Sequence, residues 1–158
     1  MTARLQEDDW SVAMVLDHLR QADEATARIL TRLTRRASAV STAPAPSEVE
    51  IRYDIEGAPE KVMSYPVFVG MAPAETASEG CLDELAAARE MLEQAIMQAY
   101  TVDCSAQQFP HPVVGPMNPY EWILFVGIHE TGHQGQIRGI LRRLGEPAGG
   151  MAPTGGTA

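Results

Sequence analysis

The stretch Asn118–Gly145, NPYEWILFVGIHETGHQGQIRGILRRLG, reads as one long helix with both ends written into it. Asn118 is a good N-cap, Pro119 fits the first helical position, and Glu121 completes a capping-box-like pair. Gly145 stops the helix and Pro147 prevents its resumption. Between these ends Trp122, Val126, His129, His133, Gln136 and Ile140 follow alternating steps of three and four, the seam of a helix that faces a bundle. His129 and His133 are one turn apart and within roughly 40° of each other around the axis, so both can reach one metal ion without bending the backbone. With Glu130 between them the segment also satisfies H-E-x-x-H, a pattern tied to zinc and hydrolysis.

Two further helices follow from the same periodicity. The first is expected from Ser11 to Ala37, with Ser11 as N-cap, Trp10 stapled onto Val15, and a stripe of Val12, Val15, Leu19, Ala22, Ile29 and Leu33. The second is expected from Ala77 to Tyr100, with Thr76 and Glu79 at capping-box spacing and a stripe of Leu82, Leu85, Leu92, Ile96 and Ala99. Between them Val49, Ile51, Tyr53 and Ile55 alternate with charged residues. A turn at Gly57–Glu60 could return the chain toward Tyr65–Val69, so a short β-hairpin or an extended crossover is expected around 48–70. Ser105–Met117 reads as a Pro-rich loop, and Glu146–Ala158 as a flexible tail after one domain spanning 1–145. The fold class is therefore all-α, with three strong helices.

Composition narrows the function. The chain has 158 residues and a net charge of −9, with 21 acidic against 12 basic residues. That balance argues against a nucleic-acid surface and against docking on anionic membranes. The Arg32, Arg35, Arg36 and Arg138, Arg142, Arg143 clusters lie near helix C-termini, where cations complement the dipole. Two cysteines, Cys81 and Cys104, are too few for a disulfide scaffold, and Cys81 falls on an apolar helical face. The polar N-terminus is no signal peptide, and no apolar run approaches membrane-spanning length. A cytoplasmic location is the expectation.

Histidines on a bundle seam must satisfy their ring nitrogens, either by hydrogen bonds or by a metal. The pair at His129 and His133 favours the metal. The full zinc-protease pattern does not continue, because Gln136 and Gly139 stand where Gly and His are required. Only Glu146 follows as a carboxylate, so any third ligand must come from upstream. His18 lies on the first helix with Met14, Val15, Ala22 and Ala25. It is either a lone core histidine or the third ligand, approaching from a facing helix. His111, in FPHPVVGP, reads as a loop-packing residue or a further candidate.

Three segments resemble the DinB-like superfamily of metal-binding helical bundles. They are WSVAMVLDHLRQADE (Trp10–Glu24), LDELAAAREMLEQAI (Leu82–Ile96) and HPVVGPMNPYEWILFVGIHETGHQGQIRGILRRLG (His111–Gly145). The superfamily includes YfiT-type hydrolases and bacillithiol- and mycothiol-dependent transferases and isomerases. The resemblance implies an up-and-down bundle and three metal-binding histidines mapping onto His18, His129 and His133, with zinc or nickel as the metal. Relatives usually carry a whole helix before the WS…HL element, and here nine residues precede Trp10. The groove this would leave is expected to be covered by the Val49–Val69 region, by a part of the natural protein outside this sequence, or by a second subunit, and a homodimer is the expected assembly.

A three-histidine metal leaves open positions where a carbonyl can be polarised or a water or thiol ionised. The expected function is thus a metal-dependent enzyme acting on a small molecule, either a hydrolase or a low-molecular-weight-thiol-dependent S-transferase. The alternatives are a non-catalytic metal- or partner-binding bundle and an H-E-x-x-H peptidase. Glu130, about 100° around the helix from His129, is a candidate general base or hydrogen-bond partner. Gln136 is a candidate for orienting a ligand or water. Arg89, which interrupts the apolar face of the second helix, is a candidate for binding an anionic group or forming a salt bridge.

Overall fold

The computed structural model describes residues 10–37, 62–63, 71–73 and 80–145. Three helices carry the described architecture: α1 (Val12–Arg36), α2 (Cys81–Ala99) and α3 (Pro119–Arg143). A two-stranded antiparallel hairpin, β1 (Phe109–His111) and β2 (Gly115–Met117), precedes α3. The fold is all-α with this one short hairpin among the described residues. None of its described helices is long and apolar enough to cross a membrane.

Local chemistry sets the helix ends. The Ser11 hydroxyl accepts from the Met14 amide at 3.2 Å and starts α1, while Arg35 and Arg36 occupy its last turn. At α3 the Asn118 side chain accepts from the Glu121 amide at 2.9 Å. The Glu121 carboxylate accepts in return from the Asn118 amide at 2.8 Å, completing the capping box. Gly145 ends the run with φ +76°, a backbone conformation only glycine adopts without strain. α2 departs from expectation. It begins at Cys81 after Gly80, with no side-chain cap, and the capping residues proposed at Thr76 and Glu79 lie outside the described residues. Its buried face is Ala88, Leu92, Ala95 and Ala99, so Leu82, expected in the stripe, is 66% exposed. Small residues at three of those four positions let α1 and α2 approach closely, and hydropathy alone cannot locate such a face. Cys81 is only half-buried.

The hairpin forms where a Pro-rich loop was expected. Pro110 and Pro116 pair across it, at a position where no ladder N–H is required, and Phe109 pairs with Met117. A three-residue connection returns the chain at Gly115, whose φ of +93° suits the left-handed position of such turns. The indole N–H of Trp122 donates to the Phe109 carbonyl at 3.2 Å, tying the hairpin to α3. The hairpin or crossover expected around 48–70 lies outside the described residues, apart from Val62 and Met63. Val62 is buried against Ile128.

Among the described residues, the two larger apolar clusters hold most of the helix contacts. Ala27, Leu30 and Leu33 of α1 meet Leu92 and Ala95 of α2, Met117 of β2, and Trp122 and Val126 of α3. At the other end Trp10, Met14, Val15 and Leu19 meet Ile140. The α1 N-terminus thus lies beside the α3 C-terminus, so these helices run antiparallel. α1 and α2 run parallel, as the pairs Arg20–Glu84 and Asp23–Arg89 require. Leu30 and Leu33 have no exposed surface, and burial of each contributes about 1.5–3 kcal/mol. The stretch of α1 and α3 between the two clusters carries polar side chains instead.

Candidate metal centre

His18 on α1 and His129 and His133 on α3 converge there, with one nitrogen from each ring lying within 4.8 Å of the others. The Nε2 atom of His129 is 3.1 Å from Nε2 of His18 and 3.1 Å from Nε2 of His133. His18 is buried through its place on the α1 core face, and the four-residue step brings His129 and His133 to the same side of α3. The far nitrogens are held as well. His18 Nδ1 lies 2.8 Å from the Met71 carbonyl, which can only accept, so Nδ1 carries the proton and Nε2 a lone pair. His133 Nδ1 lies 2.7 Å from the Gln136 side-chain oxygen.

This donor set fits a metal ion. With metal–nitrogen bonds of about 2.1 Å, ligand nitrogens stand about 2.9–3.4 Å apart in octahedral to tetrahedral arrangements, and the observed 3.1 Å falls within that span. Neutral imidazoles cannot satisfy the cluster alone. One N–H on His129 Nε2 can serve His18 or His133, and reversing the Gln136 amide only moves the conflict to the other contact. The two contacts either share the single N–H of His129 Nε2 or leave one pair of nitrogens mismatched, whereas a cation accepts all three lone pairs. Burial and the neighbouring histidines depress the His129 pKa to about 3, and burial depresses that of His133 to about 4. Burial also lowers the His18 value, against the opposing pull of the Met71 carbonyl. The imidazoles are therefore neutral at pH 7, the form that binds metal.

The DinB superfamily profile matches residues 1–137. The chain belongs to the DinB superfamily. YuaE of Bacillus subtilis (strain 168), described only as an uncharacterized protein, is 28% identical over 138 residues, covering 87% of this chain and 80% of YuaE. No solved structure is a significant match.

The other candidate residues of this DinB-family chain fall into place around the trio. Gln136 reaches it through His133, as described. Glu130 turns elsewhere: its carboxylate lies 2.8 Å from the Arg89 guanidinium, and it is not in the converging group. Arg89 also donates through Nε to Asp23 at 2.8 Å, so one guanidinium ties α2 to a carboxylate on α1 and another on α3. Asp23 is 1% exposed. Burial raises its carboxyl pKa against the opposing pull of Arg89. His111 stays outside the trio as well. Its Nδ1 accepts from the Val113 and Val114 amides at 3.2 Å each, organising the hairpin turn, and its ring packs on Phe125.

Sequence reasoning passed over three participants. Trp10, read as a staple and as the start of the WS…HL element with no role at the site, stacks parallel to the His133 ring at 6.1 Å and meets His18 edge-on at 5.1 Å. The Met71 carbonyl left no signal, because a backbone oxygen has no residue code. Asp23 did leave one: an acid on the buried face of α1, opposite an arginine on the buried face of α2. Removing Arg89 strands that carboxylate, so Arg89→Ala is expected to cost about 3 kcal/mol, the lower end for breaking a buried ion pair. Urea unfolding at pH 7 measures it, and a loss below about 0.5 kcal/mol would mean the pair behaves as an exposed one.

Proposed function

We propose that this DinB-family chain is a metal-dependent enzyme acting on a small molecule, with His18, His129 and His133 holding zinc or nickel. The observation that carries the reading is the convergence of three neutral Nε2 atoms, from buried His18 and His133 and half-buried His129, which have at most one shared N–H between them when His18 and His133 both donate through Nδ1. Imidazole suits both metals. Bound there, the metal would polarise a carbonyl or lower the pKa of a water or thiol, the property shared by hydrolases and thiol-dependent S-transferases. Met71 fixes the tautomer of His18, and Met71 and Gln136 hold the ring orientations of His18 and His133, as hydrogen bonds to metal-binding histidines commonly do. Glu130 is engaged by Arg89, which favours a structural role for it and disfavours the H-E-x-x-H peptidase reading.

Protein purified without added metal is expected to carry about one transition-metal ion per chain by elemental analysis. A metal-free protein of undiminished stability would refute the reading. The metal-loaded protein is then offered electrophilic and ester substrates with and without low-molecular-weight thiols. Turnover that requires a thiol identifies a transferase, and turnover in water alone a hydrolase. Bound metal with no turnover in either arm would leave a metal-binding bundle without catalysis.

A further inference from the structure

We infer that Trp10 is a hydrogen-bond donor to an oxygen-containing anionic ligand held at the three-histidine centre. The inference rests on the metal-centre reading above. Trp10 is 3% exposed, and its Nε1 is the buried side-chain polar atom that lacks a hydrogen-bond partner among the described residues. Leaving such a group unpaired costs about 1–3 kcal/mol. Core packing does not call for an N–H, because the cluster of Met14, Val15, Leu19 and Ile140 around the ring is apolar.

Its position suggests what the N–H is for. The indole lies against two of the three converging imidazoles, 5.1 Å from the His18 ring and 6.1 Å from that of His133. Neither ring can accept from it in the proposed centre. His18 Nδ1 donates to Met71, His133 Nδ1 faces Gln136, and both Nε2 atoms face the shared centre. A ligand at the centre with a second acceptor atom would bring that atom beside the indole. Charge selects the class. Three neutral imidazoles leave a divalent ion's charge uncompensated, and the nearby carboxylates of Asp23 and Glu130 are both taken by Arg89. A carboxylate ligand supplies the missing negative charge with one oxygen and accepts the indole N–H with the other.

Acetate is the probe, titrated into cobalt(II)-loaded protein and followed by the visible cobalt spectrum. Trp10→Phe removes the donor and keeps an aromatic ring. Replacing Trp10 by benzothienylalanine substitutes sulfur for the N–H at nearly constant shape, which guards against a packing artefact. Both variants are expected to bind one cobalt and to weaken acetate binding about tenfold, the loss of one hydrogen bond. Imidazole, which offers no second acceptor, is expected to bind wild type and variants alike. Equal acetate affinity in wild type and the benzothienyl variant, with one cobalt bound to each, overturns the inference alone. Failure of the wild type to take up cobalt overturns the metal-centre reading and the inference with it.

Discussion

Replacing His133 by alanine is expected to strip the protein of its metal, lowering affinity by more than 100-fold. His133 is 1% exposed, so the site cannot recruit solvent or a surface side chain to replace it cheaply. The comparison that gives this result meaning is a graded series. Gln136→Ala leaves all three imidazoles but frees Nδ1 of His133, and losses at that level are about 10–100-fold. His18→Ala should match His133→Ala, because both remove one of three lone pairs. Glu130→Gln should leave metal affinity within about twofold, since its carboxylate is spent on Arg89. Chelator competition measures all four. A Glu130 variant as defective as His133→Ala would place that carboxylate at the metal. Full metal retention by His18→Ala would remove α1 from the centre.

The helix ends and the histidine pair were legible because their causes are local. A capping box needs only Asn118 and Glu121 three residues apart, and two ligands on one helix need only a spacing of four. His18 was legible as the third ligand from its place on an apolar face and from the resemblance that set it beside His129 and His133, although nothing local couples residues so far apart in the chain. Along α2, Leu85, Leu92, Ile96 and Ala99 take the expected core side, and only Leu82 was misplaced, for a physical reason. Its buried face is mostly alanine, whose side chain carries little hydrophobic signal, and the more apolar Leu82 lies in solvent. The hairpin was hidden by Pro110 and Pro116, which oppose strands in general but are tolerated at a position needing no amide donor. Arg89 was visible as an anomaly on a helix face. Its meaning depended on two carboxylates supplied by other helices.

The same histidines should make the metal-free protein unusually sensitive to mild acid. In the folded state the His129 pKa is held at about 3 and that of His133 at about 4, both below the ordinary 6.5, and that of His18 is lowered too. Unfolding frees each ring to take a proton that the folded state refuses. The stability they contribute is therefore present above pH 6.5 and is lost as pH falls toward the folded values. Each such histidine steepens the loss by about 1.4 kcal/mol per pH unit within that window. Between pH 6.5 and 5 the two most depressed rings together remove about 3 kcal/mol, a large fraction of the roughly 5–15 kcal/mol that holds a domain folded. Asp23 acts in the opposite sense: its raised carboxyl pKa lets the folded state take up a proton more readily, offsetting part of the loss at the acid end. Urea unfolding of chelator-treated protein at pH 7, 6 and 5 tests the slope, and equal stability at all three would refute it. The His133→Ala variant should show a slope shallower by about 1.4 kcal/mol per pH unit, one proton's worth. Protein loaded with metal should hold its stability further into acid, because a bound cation occupies the lone pairs that protons would otherwise take, until proton competition releases it.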